Sequence, residues 1–181
     1  MRIRSFAPIA DANAEVLVLG SMPGVASLRA QQYYAHPRNA FWRIVGELLG
    51  FDADAAYAKR AKALKSARIA VWDVLDSCVR EGSADAMIED DSLLANDFRT
   101  FFAAHTRIRR VFFNGIKAEA CYKTHVLHRL ETGPVAYSRL PSTSPANASV
   151  AFADKLDAWR AIVPRPRRSG NRVSTLGSLQ P

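Results

Sequence analysis

Four short apolar segments, separated by stretches with helical periodicity, constrain this chain more than any other feature. They span residues 15–20, 67–72, 110–115 and 135–140. The first three are nearly continuous in β-branched, aliphatic or aromatic residues, as expected of strands buried on both faces. The fourth alternates apolar and polar side chains and reads as an edge strand. Between them, residues 40–49 place Phe41, Ile44, Val45, Leu48 and Leu49 on one helical face, and Gly50 then stops the helix. Residues 54–65, 92–104, 115–130 and 150–162 also read as helices. Phe98, Phe101 and Phe102 form a core stripe on the second of these. Strands alternating with helices predict an α/β fold, a three-layer sandwich whose central four-stranded parallel sheet is flanked by helices.

The 181 residues suit one α/β domain over 1–163 and a basic flexible tail over 164–181. The chain carries 25 Lys and Arg against 17 Asp and Glu, a net charge of +8. Arg165, Arg167, Arg168 and Arg172, with no acid among them, put +4 of that +8 in the tail. The tail reads equally as a solubilising extension or as an arm that seeks a polyphosphate. No apolar run approaches the roughly 18 residues of a membrane span, and no apolar leader follows Met1. Cys78 and Cys121 form no CxxC pair, which argues against a disulfide scaffold or a structural zinc site and for a reducing cytoplasm. His125 and His128 stand three apart without a further ligand nearby and read as surface histidines.

Sites on parallel sheets gather beyond the carboxyl ends of the strands, and three segments there carry chemistry. Gly20-Ser21-Met22-Pro23-Gly24 follows the first strand. Its glycines allow close backbone approach, and its amides can cradle an anion or a carbonyl oxygen. It is neither a P-loop nor a GxGxxG turn, and by itself it reads as a tight strand exit. Tyr33-Tyr34-Ala35-His36-Pro37-Arg38-Asn39-Ala40-Phe41-Trp42 comes second. Asn39 is placed to cap the following helix. Tyr34, Asn39 and Arg38 also supply a stacking plate, a polar amide and a phosphate ligand, the parts needed to hold an extruded base. Pro141-Ser142-Thr143-Ser144-Pro145-Ala146-Asn147-Ala148 comes third. Its hydroxyls can bind phosphate oxygens without charge; alternatively it is a polar loop ending in a helix cap.

Taken together and in this order, the three segments resemble those of the uracil-DNA glycosylase superfamily, and more closely its hypoxanthine-DNA (deoxyinosine) glycosylase branch. The resemblance runs from about residue 15 to 162. It implies a base-flipping hydrolase that cleaves the N-glycosidic bond of a deaminated base, most closely hypoxanthine, with no metal or cofactor. It assigns catalysis to Asn39 and the stacking aromatic to Tyr34. Pro145, Ala146 and Asn147 match the loop that wedges into the duplex, while Arg38, Ser142, Thr143 and Ser144 would meet DNA phosphates. Met22 stands where many members of the superfamily carry a water-activating Asp or Asn. Asp73, in Trp72-Asp73-Val74-Leu75, stands where an Asn often reads the base edge; it reads equally as a turn cap or the partner of an Arg. A carboxylate can accept from N1–H of hypoxanthine, and backbone amides near Met22 and Gly24 would then serve O6.

No lysine is evident in these loops, so the expected product is an abasic site without strand scission. The expected partner is damaged DNA, with no membrane contact. The protein is expected to be a monomer in a bacterial cytoplasm, acting at the nucleoid and passing its product to enzymes of abasic-site repair. Two other readings stay open: a glycosylase for uracil or for G:U and G:T mismatches, and a lesion-binding protein without catalysis.

Overall fold

The computed structural model describes residues 2–82, 90–130 and 135–164. The predicted tail from residue 165 onward lies outside them. The chain order is β1 (Arg2–Arg4), β2 (Val16–Gly20), α1 (Val25–Ala30), α2 (Phe41–Leu49), α3 (Tyr57–Ser66), β3 (Ile69–Asp73) and β4 (Leu75–Val79), then β5 (Leu94–Ala95), α4 (Phe98–Ala104), β6 (Arg110–Asn114), α5 (Ile116–His125), β7 (Ala136–Leu140) and α6 (Phe152–Trp159). The four predicted strands form one parallel sheet in the order β3-β2-β6-β7. Helices flank it, as expected.

Burial follows the apolar pattern. β2 and β3 are buried along their whole length. β6 is buried at its three central residues. β7 lies at the edge and buries only Leu140 fully. β3 is also an edge strand, yet it is covered, because Ile9 bridges to Val71 and closes that side. The pairing Gly20↔Asp73 and Asn114↔Leu140 brings the four strand ends nearly level. From β2 the chain runs first to β3 on one side and then to β6 on the other. The strand order therefore reverses beside β2, and that is where such sheets open a crevice for a ligand.

A second sheet was not foreseen. β1, β4 and β5 pair antiparallel. Val74 alone separates β4 from β3, and the mixed residues Leu75-Asp76-Ser77-Cys78-Val79 give no clean alternation. The small sheet brings Ser5 and Arg80 up to the ends of β2 and β3. The predicted helix over 92–104 is also corrected. Residues 90–92 form a 3-10 turn, Leu94–Ala95 pair with β4, and the helix begins only after Asp97, whose carboxylate accepts from the Thr100 amide. That local cap defeats the apolar periodicity upstream of it. The helix predicted over 54–65 starts at Tyr57, and the one over 115–130 ends at His125 before a separate 3-10 turn. Helix α1 was missed because six residues carry too little pattern.

Candidate active site

Three tryptophans pin the loops that surround the strand ends. Trp42 Nε1 donates to Tyr33 O at 2.9 Å, Trp72 Nε1 to Phe6 O at 3.0 Å, and Trp159 Nε1 to Pro141 O at 3.0 Å. A buried indole N–H must find an acceptor, and here each acceptor is a loop carbonyl. The loops meet directly as well: Ala40 N–H donates to Thr143 O at 3.0 Å, which joins the second sequence segment to the third.

Between them lies a cavity of about 150 Å³. Gly20 to Gly24, Tyr34, His36, Asn39, Asp73, Asn114 and Ser142 to Pro145 line it. Met22, Gly24, Tyr34, Asn39 and Asp73 thus share one cavity with Ser142, Thr143, Ser144 and Pro145. Arg38, Ala146 and Asn147 do not line it; Arg38 and Ala146 are exposed.

Tyr34 adopts a left-handed backbone, φ 55°, unusual for a bulky residue and a form of strain that marks functional sites. One face of its ring stacks on Phe41, with centroids 4.0 Å apart and planes 25° from parallel. Its hydroxyl is covered and makes no hydrogen bond of ordinary geometry among the described residues. Burial first, and then the Asp73 carboxylate, push that hydroxyl well above the ordinary tyrosine range, while the nearby Asn114 amide partly offsets them. The same two causes raise Tyr33.

Asn39 Oδ1 accepts from the Phe41 amide at 3.0 Å. Asn39 is not the cap residue as predicted: Ala40 holds that position without a side-chain bond, and Asn39, one residue before it, satisfies the first helical amide instead. This bond fixes the orientation of the carboxamide and leaves Oδ1 a second lone pair. Arg38 N–H donates to His36 Nδ1, and Asn39 N–H to His36 O, so residues 36–39 form a closed turn.

Asp73 is 3% exposed and accepts from the Ser5 hydroxyl at 2.9 Å. Its Oδ1 lies so close to Gly20 that a Cβ there would sit 2.4 Å from it and 3.3 Å from the Tyr34 hydroxyl. Gly20 is glycine because the carboxylate and the phenol occupy the place of its side chain.

Thr143 is 1% exposed, and Asn114 clasps it twice. Asn114 Nδ2 donates to Thr143 Oγ1 and Thr143 N–H donates to Asn114 Oδ1, each at 2.8 Å. Ser142 Oγ accepts from the Ser144 amide and Ser144 Oγ from the Ala146 amide, both at 3.2 Å. Asn147 Nδ2 turns back to Ser142 O at 3.1 Å.

Several contributors have no role assigned from the sequence, although Asn114 is placed by it at a strand's ligand-binding end. Buried Arg80, which donates to Pro23 O and so holds the glycine loop, has no such signal. Lys155 is also hidden in the sequence. It is 5% exposed, donates to Asn147 O at 2.7 Å, and has its ammonium pKa lowered by burial. Lys155 supports the third loop from α6 and does not line the cavity. Among the described residues no three His, Cys, Asp or Glu side chains gather as metal ligands, and no helix is long and apolar enough to cross a membrane.

The sequence profile of the uracil DNA glycosylase superfamily matches residues 7–163. The chain belongs to this superfamily. Over 116 residues it is 45% identical to a protein of Methanosarcina acetivorans named hypoxanthine DNA glycosylase, covering 64% of this chain and 72% of that one. A Methanosarcina barkeri protein of the same name is 40% identical over 119 residues, with 65% and 74% covered. The fold superposes on the solution structure of a candidate uracil DNA glycosylase from M. acetivorans with a TM-score of 0.73 at 37% identity, covering 90% of this chain and 99% of that one. Membership of the superfamily and the four-stranded parallel sheet both agree with the resemblance seen in the sequence.

Proposed function

We propose that the protein is a DNA glycosylase that hydrolyses the N-glycosidic bond of a flipped deaminated base, hypoxanthine in the first place, and leaves an abasic site. The observation that carries this reading is the convergence of the Tyr34 ring and the oriented Asn39 amide on one cavity of about 150 Å³. The two relatives named hypoxanthine DNA glycosylase support the choice of base.

Breaking this bond builds positive charge on the sugar and negative charge on the departing base. Prearranged dipoles stabilise both without being reorganised during the reaction. The base stacks on the face of Tyr34 that Phe41 leaves open. Asp73 accepts from N1–H of the purine. Backbone amides of the glycine loop, at Met22 and Gly24, meet O6 and the charge that develops on the ring. Asn39 uses its remaining lone pair to orient a water toward the anomeric carbon. An amide is too weak a base to deprotonate that water fully, so the sugar cation forms largely before attack.

Phosphate contacts fall to Arg38, Ser142 and Ser144. Each serine oxygen accepts an amide but keeps its own O–H to donate. Thr143, covered and clasped by Asn114, orders the loop.

Duplexes carrying a single inosine, uracil or xanthine test the reading, with alkali used to reveal abasic sites. Breaks at inosine are expected. Breaks only at uracil would assign the enzyme to the alternative substrate, and a gel shift without breaks would make it a lesion-binding protein. Asn39→Ala should retain duplex binding while base release falls at least about tenfold, the equivalent of about 1.4 kcal/mol of barrier. Unchanged release removes Asn39 from catalysis.

A further inference from the structure

We propose that Ile116, the first residue of α5, is the apolar side chain that enters the duplex beside the vacated base. The inference rests on the glycosylase reading above and adds a residue to it. Ile116 is 70% exposed, the most exposed large apolar side chain among the described residues. A single exposed isoleucine is unremarkable on most surfaces; its position gives this one meaning. Only Gly115 separates it from Asn114, which lines the cavity. Gly115 itself packs so tightly on the third loop that a Cβ there would lie 2.9 Å from Ser142 Cβ. Ile116 is therefore exposed next to the end of β6 that lines the cavity, and we seat it on the rim a duplex meets when a nucleotide turns in.

The third loop, which the resemblance assigns to the wedge, offers only short or tied side chains, and Ile116 adds reach beside it. Pro145 faces the cavity. Ala146 is exposed but projects a single methyl. The Asn147 amide is bonded back to Ser142 O at 3.1 Å. Proteins that unstack DNA insert Phe, Leu, Ile, Met or Pro between base steps, and Ile116 offers that chemistry at the right edge. Its role is to hold the stack open after extrusion, so it matters only where a stack exists.

The test compares Ile116→Ala and Ile116→Leu with the wild type on one inosine oligonucleotide, used single-stranded and as a duplex opposite thymine. Ile116→Ala should lower kcat/KM on the duplex at least tenfold and leave the single strand unchanged, while Ile116→Leu restores the duplex rate. Equal loss on both substrates, or loss on neither, overturns the proposal. A 2-aminopurine next to the lesion supplies a readout independent of chemistry. Its fluorescence should rise when the wild type binds and stay low with Ile116→Ala. If the wild type excises from neither substrate, the glycosylase reading fails, and the 2-aminopurine signal still decides whether Ile116 enters the stack.

Discussion

Gly115→Ala tests how the third loop is held. Gly115 has φ 96° and ψ 176°, a region open essentially to glycine alone, where another residue costs about 1–3 kcal/mol. The added Cβ would lie 2.9 Å from Ser142 Cβ, 3.3 Å from its Oγ and 3.7 Å from its Cα. Backbone stands behind that contact, so the loop itself must move, an overpacking cost of about 1–3 kcal/mol. The two effects sum to roughly 2–6 kcal/mol, which lowers Tm by roughly 4–24 °C for a chain of this size. Gly50→Ala is the matched control. Its φ is 73° with nothing within 4 Å of the new Cβ, so only left-handed strain applies, about 1–2 kcal/mol.

Thermal melts followed by circular dichroism should place Gly115→Ala clearly below Gly50→Ala. Displacing Ser142 also disturbs the Asn114 clasp on Thr143 and the bond from Ala40 N–H to Thr143 O. Gly115→Ala should therefore lose inosine excision at temperatures where it remains folded, while Gly50→Ala keeps it. Equal melting temperatures for the two variants, or unchanged kcat in Gly115→Ala, would refute the reasoning.

Two further outcomes are expected. Asp73→Asn gains an N–H donor toward a base carbonyl and loses an acceptor for N1–H; the ratio of uracil to inosine excision should rise, and a ratio that does not move removes Asp73 from base reading. Tyr33, Tyr34 and Tyr122 have hydroxyls raised from their ordinary value of 10.0, chiefly by burial. They stay protonated in the folded state while the unfolded chain ionises, so stability is intact below about pH 10 and is lost as pH rises above it, at up to about 1.4 kcal/mol per pH unit for each tyrosine. Absorbance at alkaline pH should show these three of the five tyrosines ionising only together with unfolding; early, reversible ionisation of all five would contradict it.

The four strands of the main sheet were legible because burial on both faces demands near-continuous apolar residues, and the edge position of β7 followed from its alternation. Tyr34 and Asn39 were legible as site residues for a different reason: they stand in a loop of aromatic, proline and amide residues that a plain connection does not need. The second sheet was not legible, since β1, β4 and β5 are two to five residues long and their pairing partners lie far apart in sequence. Asn114, Arg80, Ser5 and Lys155 act through contacts with Thr143, Pro23, Asp73 and Asn147, which local pattern does not encode. The chain alone thus determined which residues form the sheet and which loops lie beyond its strand ends. Only tertiary packing decided that those loops close on one cavity, because polar groups buried between distant segments must satisfy each other across space, and Gly20 and Gly115 leave room for neighbours that no local pattern names.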